Sequence, residues 1–341
     1  MTTSEQGLAG SYRIAGVDLG NAELAAVVQD GLNAVEDRLH DALSAGELFV
    51  SEKALHYVEA GGKRFRPLFT LLGAQLGPQL QTEQVITAAT VVELIHLATL
   101  YHDDVMDEAT MRRGAVSANA RWNNSKTILT GDYLFAQASR LVAQLGPDAV
   151  RIIAETFAEL VTGQMRETVG VKDGDDPVEH YLRVVAEKTG SLIATCGRYG
   201  AMFSGADEEQ VQRLRRLGDA VGTAFQISDD IIDISSVSAE SGKTPGTDLR
   251  EGVHTLPVLY ALAEHGPDAE RLRVLLDGPV TDDADVAEAL FLLERSSGLV
   301  EAKAILAGYA EAARVELAAL PDGPANTALQ RLVDYTVART G

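Results

Sequence analysis

Of 341 residues one is cysteine and one tryptophan, and aromatics make up only 5%. The lone Cys196 cannot pair within the chain, so no disulfide scaffold is available and the sequence suits a reducing compartment. Basic residues are also scarce, with 29 Lys+Arg against 50 Asp+Glu and a net charge of -21. That balance excludes a general field attracting nucleic acid or an anionic membrane surface, and no nucleic-acid partner is expected. An anionic ligand would need local sign reversal, from clustered basic side chains or bound divalent cations. Long apolar runs are missing as well: Val85 to Tyr101 is interrupted by Glu93, short of the roughly 18 to 20 residues that span a membrane. Stable membrane insertion is therefore not expected. Met1 to Gly20 lacks a basic region followed by an apolar run, so neither a secretory signal nor a transit peptide is expected, and the cytoplasm is the expected location.

What is present is ordinary globular composition, 46% hydrophobic with 31 Gly and 10 Pro, which excludes disorder and fibrous structure. Residues 1–20 have no periodicity and read as a flexible tail; residues 21–341 read as one all-helical domain. Leu24, Val27, Val28, Leu32, Val35, Leu39 and Leu43 follow the i, i+3, i+4, i+7 rhythm of one apolar helical stripe. Similar periodicity predicts helices over 51–60, 66–76, 82–106, 126–145, 147–171, 177–203, 207–235, 254–265, 268–276, 282–296, 298–319 and 324–339. Gly61-Gly62, Gly77-Pro78, Gly146-Pro147 and Gly266-Pro267 supply the stops. Residues 235–252 form the longest polar interruption.

Two helix ends carry the same DDxxD spacing. Asp103 and Asp107 lie one turn apart with Asp104 beside them, and Asp229, Asp230 and Asp233 repeat the pattern after Gln226. Like charges this close repel, and a helix C-terminus disfavours anions. A hard, oxygen-seeking cation such as Mg²⁺ relieves both penalties. One such motif alone reads more readily as a solvated acidic helix end. Two, each flanked by residues that favour burial, do not.

Basic groups punctuate the same region. GGKRFRP at 61–67 combines a chain reversal, Lys63, Arg66 and a helix start at Pro67, a plausible phosphate cradle that taken alone also fits a nucleic-acid contact or a charged helix cap. Arg112 and Arg113 follow the first aspartates, and Lys188 and Lys243 add two further cations, Lys243 only ten residues after Asp233.

At these positions the chain resembles the trans-prenyltransferases that build isoprenyl diphosphates. The resemblance covers about residues 50–260 and rests on GGKRFRP, DDVMDEATMRRG at 103–114, GDYLF at 131–135, GQ at 163–164, KTG at 188–190, FQISDDIID at 225–233 and GKTPGTDLREG at 242–252. It implies an all-α prenyltransferase fold, a homodimer, and two DDxxD motifs facing a central cavity. Asp103, Asp107 and Asp229 would be the principal Mg²⁺ ligands, with Asp104, Asp230 and Asp233 supporting. The allylic diphosphate would rest on the ions and on Arg112, Lys188 and Lys243; isopentenyl diphosphate would rest on Lys63, Arg66, His96 and Arg113. His96 also fits a purely structural histidine. Thr189, Gln164 and Gln226 would lie at the reaction centre. Val253 stands where many relatives carry a lysine, which removes one secondary diphosphate contact.

The implied reaction ionises the allylic diphosphate, and the double bond of isopentenyl diphosphate attacks the cation while water is kept out. Small residues before the first motif, Ala98 and Thr99, favour a product longer than about C20, in the range C35 to C50, unless they serve helix contact; Phe135 or Phe157 would floor the tunnel. Product release implies at most weak peripheral contact with a membrane. A class I terpene cyclase and a silent regulatory subunit are the competing readings. The first lacks its own second metal motif here, and intact aspartates oppose the second.

Overall fold

The computed structural model describes residues 12–80, 82–235 and 245–340. Lys243 and the start of its motif, like residues 1–11, lie outside the described residues. The chain groups into two compact units: Met1–Val150, Arg198–Val211 and Leu320–Leu332 in the first, Arg151–Gly197, Gln212–Ala319 and Val333–Gly341 in the second. Both are helical, as expected.

In unit 1, α1 (Ala22–Ser44) starts where the Asn21 side chain accepts the Leu24 N–H at 2.8 Å. Its predicted stripe is buried at Leu24, Val28, Val35, Leu39 and Leu43. Then come α2 (Leu48–Glu59), α3 (Phe65–Ala74), α4 (Glu83–Met106), α5 (Ala118–Trp122), α6 (Asn124–Val142) and α7 (Pro147–Val169), which runs on past the unit's boundary. Helices α1, α3 and α6 pack around α4. Burial on all sides explains why α4 is so apolar. By length and composition it could cross a membrane, with a mean hydropathy of 1.4 over 18 residues, yet 78% of that window is buried in the protein. Glu93 thus does not end the apolar run, as the sequence suggested; it is neutralised within the unit by Arg64 at 3.2 Å.

Residues 12–20 depart from the expected tail. Arg13–Ile14 (β1) pairs antiparallel with Val17–Asp18 (β2), and Ile14, Val17 and Leu19 are buried. The two loop residues, Ala15 and Gly16, both have positive φ, the backbone of a tight hairpin. So short a hairpin leaves no periodic signal. A second hairpin pairs Met111–Arg112 (β3) with Ala115–Val116 (β4).

Unit 2 holds α8 (Pro177–Val185), a π-helical turn at Ala186–Gly190, α9 (Ser191–Phe203, in part) and the greater part of α10 (Glu208–Ser235). After these come α11 (Thr247–Glu251), α12 (Leu256–Ala263), α13 (Pro267–Leu275), α14 (Asp283–Arg295) and α15 (Gly298–Ala318), while α16 (Pro324–Ala338) belongs partly here. The π turn divides what periodicity presented as one helix over 177–203, because the five residues AEKTG keep helical backbone while Ser191 N–H reaches back to Ala186. Ala224, Ile227 and Ile231 of α10 pack with Leu256, Ala302 and Leu306. This buried face orients the aspartate-bearing end of α10.

Candidate active site

Asp103 and Asp107 end α4 one turn apart, with the Asp107 N–H donating to the Asp103 carbonyl at 2.8 Å. Asp103 is half-buried and Asp107 exposed. Asp104, between them, is wholly buried. It accepts Arg112 Nε at 2.8 Å, the Tyr57 hydroxyl, and the Ala118 N–H at 3.3 Å. Those three donors make Asp104 a buried support that fixes the helix end. Arg112 also stands 3.7 Å from Asp107.

The β3–β4 hairpin separates the arginine pair. Arg112 lies in the strand and reaches the aspartates, whereas Arg113 takes a left-handed backbone in the turn (φ 53) beside Gly114. There its guanidinium donates to the Gly61 and Tyr57 carbonyls at 2.7 and 3.0 Å, and it lies 3.4 Å from His96 Nε2. Arg113 therefore clasps the backbone of the GGKRFRP loop. Arg64, also left-handed (φ 49), turns from the loop to Glu36 at 2.9 Å and Glu93 at 3.2 Å. Lys63 is exposed and Arg66 half-buried. Burial, then the fields of Arg66, Arg113, Arg64 and Arg112, holds the His96 pKa well below its usual 6.5. Arg66, His96, Arg112 and Arg113 thus share one positive field beside Asp103 and Asp107.

In unit 2 the second motif is organised differently at each aspartate. Asp229 is paired with Arg339. Asp230 is buried, accepting the Tyr181 hydroxyl and Gln226 Nε2, the latter at 3.0 Å; burial raises its pKa to about 6 against those hydrogen bonds. Asp233 accepts the N–H groups of Thr247 and Asp248 at 3.2 and 3.1 Å, tying α10 to α11. Gln226 Oε1 lies 3.3 Å from the Thr189 hydroxyl, so the KTG and FQISDDIID motifs meet. Lys188 donates to Glu167 at 2.6 Å, and Gln164 to the same carboxylate at 3.0 Å. Gly163 is a packing requirement: a Cβ there would lie 2.6 Å from the Lys188 nitrogen, so only glycine lets α7 meet the π turn.

Ala98 is fully buried, and the Thr99 hydroxyl bonds to the His96 carbonyl at 2.8 Å. Phe135 lies against the His102 ring, centroids 5.8 Å apart. Tyr57, Tyr181, Arg339 and the Glu36–Arg64–Glu93 network were not foreseen from sequence. Each joins residues remote along the chain, and none sits in a spacing that marks it.

Among the described residues no three His, Cys, Asp or Glu side chains gather as a ready-made metal cage. The donor chemistry still fits Mg²⁺, which is ordinarily held by one or two carboxylates plus waters and substrate phosphates. Asp103 and Asp107 provide such a pair.

An aspartate-rich helix end in each unit and a basic loop in the first, on an all-α scaffold, are the features of an isoprenoid synthase. The polyprenyl synthetase family pattern matches residues 48–293. Nonaprenyl diphosphate synthase of Mycobacterium tuberculosis is 64% identical over 328 residues, covering 96% of this chain and 98% of that protein. Geranylgeranyl pyrophosphate synthase of Corynebacterium glutamicum, solved with calcium and isoprenyl diphosphate, superposes with TM-score 0.86 at 53% identity, covering 94% of this chain and 99% of that one. A decaprenyl diphosphate synthase from Rhodobacter capsulatus gives 0.85 at 36% identity, with coverage of 94% and 99%. The chain belongs to the polyprenyl synthetase family. It is a chain-elongating trans-prenyltransferase.

Proposed function

We propose that this enzyme condenses isopentenyl diphosphate with an allylic diphosphate and extends an all-trans chain well beyond C20. The observation that carries the reading is the side-by-side placement in unit 1 of a carboxylate pair, Asp103 and Asp107, and a basic set, Arg66, His96, Arg112 and Arg113. Such a site binds a cation and a polyanion together. Asp103, Asp107 and Asp229 would hold Mg²⁺, while Asp104, Asp230 and Asp233 fix the helix ends. Bound Mg²⁺ supplies charge neutralisation for the departing diphosphate. Arg112, Lys188 and Lys243 would take the allylic diphosphate, and Lys63, Arg66, His96 and Arg113 that of isopentenyl diphosphate. Thr189, Gln226 and Gln164 would line the reacting end. The small Ala98 and Thr99, with relatives named for nine and ten prenyl units, support a long product.

We further propose that residues 21–341 act as one catalytic domain, that the enzyme works in the cytoplasm as a homodimer, and that it touches membranes only transiently as product leaves. The test supplies purified protein with Mg²⁺, labelled isopentenyl diphosphate and allylic primers, and sizes the products. Chain elongation beyond C20 is expected, and Asp103→Ala or Asp229→Ala should lower turnover by orders of magnitude with the helical circular dichroism kept. A cyclic hydrocarbon, or wild-type turnover in either variant, contradicts the reading.

A further inference from the structure

The three aspartates of the second motif are met by different kinds of partner. Asp230 and Asp233 are held by neutral donors, a tyrosine hydroxyl, a carboxamide and backbone N–H groups. Asp229 is paired with a full positive charge, the Arg339 guanidinium. That guanidinium is little exposed, at 12%, whereas the Asp229 side chain is 31% exposed. Its central carbon also lies 4.4 Å from the centre of the Phe225 ring, one helical turn before Asp229 on α10. Carboxylate and ring face thus form one receiving surface. Arg339 is seated there from just beyond α16, its N–H donating to the Tyr335 carbonyl at 3.2 Å.

An arginine cannot ligate a metal ion, and a cation approaching Asp229 meets its charge at short range. The pair neutralises a carboxylate that would otherwise face its neighbours Asp230 and Asp233 uncompensated. Once a divalent ion takes over that neutralisation the contact has no electrostatic reason to persist, while the Phe225 face still offers the guanidinium a cation–π seat. We propose that Arg339 is a positioning residue, a displaceable counter-ion that holds Asp229 in register and that a divalent cation must evict on binding. This rests on the reading of Asp229 as a metal ligand. Arg339 so makes second-motif metal binding weaker than the carboxylates alone would allow.

The experiment measures Mn²⁺ binding to the full-length protein, without substrate, by electron paramagnetic resonance. Wild type is compared with Arg339→Gln, Asp229→Asn and the double variant. Arg339→Gln is expected to bind the Asp229-dependent ion roughly threefold to tenfold more tightly, the range of a partly exposed ion pair. The double variant should match Asp229→Asn. Unchanged or weaker Mn²⁺ affinity in Arg339→Gln, with binding lost in Asp229→Asn, overturns the counter-ion role and leaves the metal reading intact. Wild-type binding in Asp229→Asn overturns the metal reading itself. Should Arg339→Gln fail to fold, Arg339→Met keeps the length of the side chain without its charge; tighter binding than wild type is then expected, and wild-type affinity overturns the proposal.

Discussion

Arg64 and Arg66 are two positions apart in GGKRFRP yet serve different ends. Arg64 faces Glu36 and the almost wholly buried Glu93, and so anchors the loop. Removing one member of such a pair strands the other charge in a poor solvent. Glu93→Ala should therefore cost about 3 kcal/mol or more of stability, read by chemical denaturation. His96 gives a pH-dependent signature. Its pKa is depressed below 6.5, so the unfolded chain binds this proton before the folded one does, and its contribution to stability is present above about pH 6.5 and declines as the pH falls towards the folded value. A polyanion among the arginines offsets their field and raises that pKa. Binding of inorganic pyrophosphate near pH 6 is then expected to take up a proton, visible as calorimetric heats that depend on the buffer's ionisation enthalpy. His96→Gln should lower the proton uptake by the share that His96 contributes beside the pyrophosphate's own ionisation, and equal buffer dependence in the two proteins would contradict it.

At the scale of elements, α4 does two jobs, core of unit 1 and carrier of the first aspartates. Ala98 shows where these meet. Gly131 of α6 comes so close that a Cβ there would lie 3.2 Å from the Ala98 carbonyl, which places small residues at a tight helix contact. If Ala98 also borders the growing product, Ala98→Phe shortens the chain, measured as a shift to fewer carbons on reverse-phase chromatography. Loss of thermal stability with an unchanged product distribution assigns it to packing alone. Helices α4, α7 and α10 were legible because their apolar periodicity is long and their stops are Gly, Pro or polar residues. The DDxxD ends were legible because carboxylates crowded at helix C-termini are chemically expensive. The π turn at Ala186–Gly190, the two hairpins and α11 were not: five residues or fewer carry no period. Nor were Tyr57 and Tyr181, since a buried tyrosine hydroxyl aimed at a carboxylate looks in sequence like any core aromatic.

On the scale of the whole molecule, the predicted homodimer has a physical motive in unit 1. Leu48 and Phe49 at the start of α2, and Ile128 and Leu129 on α6, are large apolar side chains left exposed, Leu48 at 85% and Leu129 at 66%. Light scattering should give twice the mass of a 36.3 kDa chain, and Leu129→Glu should shift it towards monomer. A wild-type monomer at working concentration would remove the dimer from the proposal. The β3–β4 hairpin has a further consequence. Its two-residue turn sends Arg112 to the carboxylates and Arg113 to the carbonyls of the basic loop, so neighbouring peptide units connect the cation-seeking and anion-seeking halves of unit 1. Were a ligand on one half to reposition its guanidinium, affinity on the other would change, and thermodynamic reciprocity requires the same factor in both directions.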